Sequence, residues 1–146
     1  MTTYQLACTV GSTNTKATIG LEIWLDDQQL WATDHVAELT PLTFDLEEDE
    51  SEHELRFVMK NKRSEHTVID DAGTIVSDAR ITISDLAFDE IVLGQIVIDQ
   101  AVYTHDFNGT QAETTDKFYG EMGCNGTVSL KFATPIYLWL LEHMQL

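Results

Sequence analysis

The sequence predicts an all-β protein, an antiparallel β-sandwich of jelly-roll-like type, with one short helix near the C-terminal end. Three observations carry that expectation. Apolar residues recur at every second position through most of the chain. Turn chemistry interrupts the alternation roughly every 8–12 residues. No 3.6-residue period persists before residue 134.

Each element can be justified in order. "ATIGLEIWLDD" sets Ile19, Leu21, Ile23 and Leu25 on one face, against Gly20, Glu22 and Trp24 on the other. That is a strand with one buried face. "DDQQ" supplies a turn, and "LWATDHV" reads as the returning strand. "LTFDL" aligns Leu42, Phe44 and Leu46, and "ELRFVMK" aligns Leu55, Phe57 and Met59. "ARITISDLAF" offers Ile81 and Ile83, then Leu86 and Phe88. "EIVLGQIVID" reads as a strand through Ile91 and Leu93, with Gly94 as a bend or bulge. "AVYTHDF" and "GTVSLKF" continue the rhythm, the latter through Val128, Leu130 and Phe132. In "TPIYLWLLEHM", Thr134 is placed to cap a helix and Pro135 suits its first turn. The apolar run that follows fits a short helix or a last core strand, and the helix is preferred. No repeat, low-complexity segment or linker divides the chain, so residues 1–146 read as one β-sandwich domain.

The 146 residues are enough for a substantial core, and 43% of them are hydrophobic. Charge is less ordinary: 8 Lys+Arg stand against 25 Asp+Glu, a formal net charge of −17. Such a surface repels phosphate and anionic lipid, so nucleic acid and membranes are not expected partners. It serves solubility, and it suits a cationic partner or bound cations. No run of about 18 apolar residues exists to span a membrane. "MTTYQLACTVGSTNTKATIG" has neither a basic n-region nor a long apolar core, so no signal peptide is expected. Cys8 and Cys124 lack metal-binding spacing and read as reduced thiols.

Seven of the ten residues in "DLEEDESEHE" are acidic, so its middle reads as an exposed connection. Four of the eight basic residues, Arg56, Lys60, Lys62 and Arg63, follow closely. Local charge compensation explains them; alternatively Lys60, Lys62 and Arg63 form a docking point for an acidic neighbouring subunit. "SEHTVIDDAGTIVSDARITI" reads as a hairpin excursion with "DDAG" at its turn. Asp70, Asp71 and Asp78, with Glu65 nearby, are also candidate calcium ligands, although the spacing is not that of an EF-hand loop. No other cofactor is expected. His66 is either a hydrogen-bonded hairpin anchor or a ligand contact.

Both Asn-Gly-Thr triplets read as turns, and "FYGEMGCNG" as an irregular loop or bulged edge. His105 and Asp106 are adjacent and so point to opposite faces of a strand, which argues against a catalytic dyad. Trp24 faces away from Ile23 and Leu25, so it is a candidate contact for a glycan or a partner. Trp31, on the returning strand, is a second. The alternative is that both cover a second core layer or a subunit interface.

The order "LEIWLDDQQL", "LTFDL", "HELRFVMKNK" and "DARITISDLAFDEI" resembles β-sandwich carbohydrate-binding modules, most of all the calcium-dependent xylan-binding type. Asp27-Gln28 stand where that pattern carries a Gly. The resemblance covers about residues 17–93. A wider set of phrases, "EHTVIDDAGTIVSDARITI", "YTHDFNGT", "GEMGCNGTVSL" and "TPIYLWLLE", resembles small virion proteins of tailed bacteriophages. That resemblance implies a non-enzymatic structural part of a phage particle: a capsid decoration, or a neck, tail or fibre subunit. Its partners would be other virion proteins in a multi-copy assembly, and its location the virion. The module resemblance implies the alternative, adhesion to glycans.

Overall fold

The computed structural model describes residues 2–144. Two antiparallel sheets form the sandwich. The first joins β1 (Thr3–Ser12), β4 (Thr40–Glu47), β8 (Ile81–Phe88) and β12 (Glu121–Met122) in the order β12-β8-β1-β4, with β9 (Ile91–Val92) also on β8. The second holds β2 (Gly20–Leu25), β3 (Gln28–Thr33), β5 (Glu52–Lys60), β10 (Val102–His105), β11 (Thr114–Lys117) and β13 (Gly126–Ala133). Its order is β11-β10-β13-β5-β2-β3. The third sheet is the hairpin of β6 (Thr67–Ile69) and β7 (Ile75–Asp78).

The alternation read from the sequence is the alternation that is buried. Ile19, Leu21, Ile23, Leu55, Phe57, Met59, Ile81, Val128 and Leu130 all lie in the core. In β8 the buried positions change phase, from Ile81 and Ile83 to Leu86 and Phe88. A bulge against β1 causes this: Thr9 pairs with Ser84 but Ala7 pairs with Ala87. Asp85 within it takes a left-handed φ of 54°.

Aromatic rings join the two sheets. Tyr4 and Phe88 come from the first, Phe132 from the second. Their centroids are 5.9 Å (Tyr4–Phe88), 6.2 Å (Tyr4–Phe132) and 4.9 Å (Phe88–Phe132) apart. Trp139 closes the cluster at 6.0 Å from Phe88 and 6.1 Å from Phe132. This anchors helix α2 (Ile136–His143), whose Ile136, Trp139 and Leu140 are buried one helical turn apart.

Three local expectations need correction. The strand expected through "EIVLGQIVID" stops at Val92, and α1 (Gln95–Gln100) follows. Six residues are too few for a helical period to show, and Ile96 is their buried contact. Thr134 does not cap α2; Pro135 occupies that position in an extended conformation. The Thr134 hydroxyl instead donates to Asp49 Oδ1 (3.1 Å) and accepts from the Ser51 amide (3.2 Å), pinning the start of α2 to the β4–β5 loop. Trp31 is not an outward partner of Trp24. It pairs with the buried Ile23 across the β2–β3 ladder and packs on the edge of the core.

Candidate functional site: the acidic end around His53

The β2–β3 turn and the β4–β5 loop meet at one end of the sandwich. Asp26 holds the first in a left-handed conformation, φ 52°. Its amide donates to the Glu54 carbonyl, and its Oδ1 accepts from the Glu54 amide, both at 2.9 Å. Glu50 gives the second loop its turn, φ 56°. The acidic run is therefore an exposed connection in its middle, as its composition demands.

His53 sits where the two loops meet. Its Nδ1 lies 2.6 Å from Asp26 Oδ2 and its Nε2 lies 2.7 Å from Asp49 Oδ1. Carboxylates only accept, so this geometry is complementary to a ring that donates from both nitrogens, the imidazolium form. Burial opposes that charge, but the hydrogen bonds and charges of Asp26 and Asp49 outweigh it and hold the His53 pKa above its ordinary value. Asp49 is held well below the usual carboxylate range by hydrogen bonds from Ser51, His53 and Thr134. The His53 ring rests on Phe132 at 5.6 Å.

Two grooves share Asp26 and His53 as a common wall. One, about 490 Å³, has Phe132, Ala133 and Trp139 on its apolar side and Glu52, Glu54, Lys131 and Glu142 on its polar side. The other, about 550 Å³, runs along Asp27, Gln28, Asp45, Leu46, Glu47 and Asp49. Carboxylates accept strongly from hydroxyl and amine donors, and ring edges offer an apolar face. A polar ligand with an apolar flank suits this combination.

The other residues singled out by sequence lie elsewhere. Trp24 faces outward; its Nε1 donates to Glu22 Oε1 (2.9 Å) and the Arg56 guanidinium lies 5.6 Å over its ring. One ring face is thus already occupied. His66 is the hairpin anchor: its Nδ1 accepts from the Arg63 amide (3.0 Å), and its carbonyl from the Ala79 amide (3.0 Å).

The three candidate calcium ligands do not converge. Asp78 stands opposite Thr67 at the base of the hairpin, while Asp70 and Asp71 lie at its tip. Asp70 caps its own turn, accepting from the Ala72 and Thr74 amides at 2.9 Å, and Gly73 provides the positive φ of 81°. Asp78 Oδ1 takes Lys62 Nζ at 2.5 Å and the Thr67 hydroxyl at 2.7 Å. Burial opposes ionisation of Asp78, and these donors overcome it and keep its pKa low. Among the described residues no three His, Cys, Asp or Glu side chains gather around a possible cation.

Of the basic docking candidates, Lys62 is withdrawn from the surface. Lys62 is buried on Asp78 and the Gly123 carbonyl. Lys60 pairs with Glu22 at 2.8 Å, and Arg63 lies 3.7 Å from Glu65. Charge compensation between neighbouring strands and loops engages Lys60 and Lys62, while Arg63 stays largely exposed.

His105 bonds Asp116 (3.0 Å) rather than Asp106, which instead accepts from the Gly109 amide (2.8 Å). Gly126 is required where β13 begins, because a Cβ there would come 2.3 Å from the Thr104 carbonyl oxygen. Cys8 and Cys124 are free thiols, and burial pushes Cys8 up to about 12.

Sequence reasoning passed over Asp26, Asp49 and His53. The available signal was the histidine inside the acidic run, four residues after Asp49.

No protein-family model and no curated protein matches this sequence. Solved structures do. The selenomethionine form of vCBM60, described with a circular permutation linking two families of calcium-dependent carbohydrate-binding modules, aligns with a TM-score of 0.55. The alignment covers 87% of this chain and 89% of that one at 10% identity. The complex of vCBM60 with galactobiose aligns at 0.52, over 86% of this chain and 96% of that one, at 12% identity. The similarity is one of fold.

Proposed function

We propose that this protein is a non-catalytic β-sandwich module that binds a glycan at the acidic end around His53. One observation carries the reading: the fold is that of carbohydrate-binding modules over nearly the full length of both chains. The grooves add carboxylates able to accept sugar hydroxyl protons, over a floor formed by the edges of the buried Phe132 and Trp139. Calcium belongs in the test because the solved neighbour is described with calcium-dependent carbohydrate-binding modules, although Asp70, Asp71 and Asp78 do not converge to hold it. A glycan array probed with and without calcium tests the proposal. Binding to at least one glycan class in either condition is expected; silence in both sinks it.

A second reading, a structural subunit of a phage particle acting through protein contacts, draws on exposed apolar side chains. Tyr137, Leu138 and Leu141 are exposed on α2, and Val68, Ile69, Ile75 and Val76 on the hairpin. The comparisons lend no support to a particle role, so glycan binding is the preferred account.

A further inference from the structure

We propose that the apolar face made by β9, α1 and the outer side of α2 docks a cationic amphipathic helix of another protein. This goes beyond glycan binding at His53 and does not depend on it.

The face starts at the β8–β9 turn, where Asp89 and Glu90 take left-handed φ values of 48° and 69°. Val92 follows, 60% exposed, as a ridge between two hollows. One, about 260 Å³, is walled by Ile83, Val97, Ile98 and Phe118, with Tyr119 exposed beside them. The other, about 200 Å³, lies between Ile91, Leu93, Ile96 and Met144. Met144 joins the second hollow to α2. Tyr137, Leu141 and Met144 follow one another at spacings of four and three, which sets them along one side. All three are exposed, Leu141 at 61%. Such a row is a ridge beside which a second helix can pack. Contiguous exposed apolar side chains of this kind mark an interaction surface.

Charge identifies the occupant. Among the described residues, no Lys or Arg lines either hollow. The sequence has none from Ile81 to Asp116 and none after Lys131. Asp85 and Asp99 stand on the walls instead, and Asp89 and Glu90 directly precede Ile91. Asp89 accepts from the Gln5 amide (2.7 Å) and Asp99 from the Gln95 side-chain amide (3.0 Å), neither of them a cation. His143, in the second hollow, gives its Nδ1 proton to the Trp139 carbonyl (2.9 Å). An apolar centre with an acidic rim repels a second copy of this chain, which carries the same rim and a net charge of −17. It repels an anionic bilayer likewise. A helix whose apolar face is flanked by Lys or Arg satisfies both the centre and the rim.

The test is calorimetric titration of the full-length protein with a synthetic Leu/Lys peptide of about 18 residues, patterned as an amphipathic helix. A second peptide has the same composition with the pattern scrambled, and a third has Glu for every Lys. The patterned Lys peptide is expected to bind one per chain, at least about tenfold more tightly than the scrambled one. The Glu peptide should not bind. Raising salt to about 0.5 M should weaken the complex. Val92→Gln with Leu141→Gln, both exposed positions, should weaken it at least about tenfold. Val68→Gln with Ile75→Gln, on the β6–β7 hairpin, should leave it unchanged. Equal binding of the patterned and scrambled peptides reduces the attraction to bulk charge and overturns the proposal. Binding indifferent to the Val92 and Leu141 changes overturns it too. Sedimentation of the protein alone covers the other occupants. A dimer that Val92→Gln with Leu141→Gln dissolves would make a second copy the occupant and overturn the proposal, as would co-sedimentation with phosphatidylcholine vesicles through the same residues.

Discussion

The Nδ1 of His53 lies 2.6 Å from Oδ2 of Asp26, and this contact ties the first residues of β5 to the β2–β3 turn. With Asp49 on the other ring nitrogen, one side chain fastens two acidic loops that would otherwise repel each other.

That clamp predicts a particular pH dependence. A pKa raised in the fold contributes stability that is fully present below the unfolded value, about 6.5 for His, and is lost as pH rises through the folded value. Asp49, whose pKa is depressed, contributes above its unfolded value of about 3.9 and loses the contribution as pH falls below that. Stability from this cluster should therefore be greatest between about pH 4 and 6.5. His53→Gln should cost about 1–2 kcal/mol there and progressively less above neutrality. Urea unfolding across pH checks this; a cost independent of pH would show that His53 is not charged.

Trp139 supports the fold and floors a groove. Trp139→Ala removes its contacts with Phe88 and Phe132 and should cost about 3–5 kcal/mol. Thermal and urea unfolding would register the loss. A cost below about 1 kcal/mol would mean that α2 is not anchored through this ring.

Lys62→Met should destabilise by about 3 kcal/mol, because it leaves Asp78 with much of its compensation gone. Adding Asp78→Asn should recover part of that loss. A double-mutant cycle with near-zero coupling would show that Lys62 acts by packing alone.

The sandwich was legible because its strands have one buried face, and alternation is the direct imprint of that geometry. The hairpin was legible from "DDAG", whose Asp70 and Gly73 do what those residues do in turns. Helix α1 was not, because six residues cannot display a helical period. The site was harder still. Asp26 and His53 are 27 residues apart in sequence and meet only through the β2–β5 ladder. Lys62 shows the converse: charge in a sequence does not say whether the side chain reaches solvent, and this one is buried on Asp78. Trp24 was correctly placed on the outer face, yet only the structure shows Arg56 already lying over it.

The central claim is that a glycan binds at the grooves flanking His53. The direct measurement is two-dimensional NMR of the labelled protein titrated with xylose and galactose oligosaccharides. The account predicts shifts of the Trp139 indole and His53 ring signals that saturate together, with the Trp24 indole unmoved. Saturable shifts confined to Trp24, or no shift at His53 and Trp139 with either sugar, would contradict it.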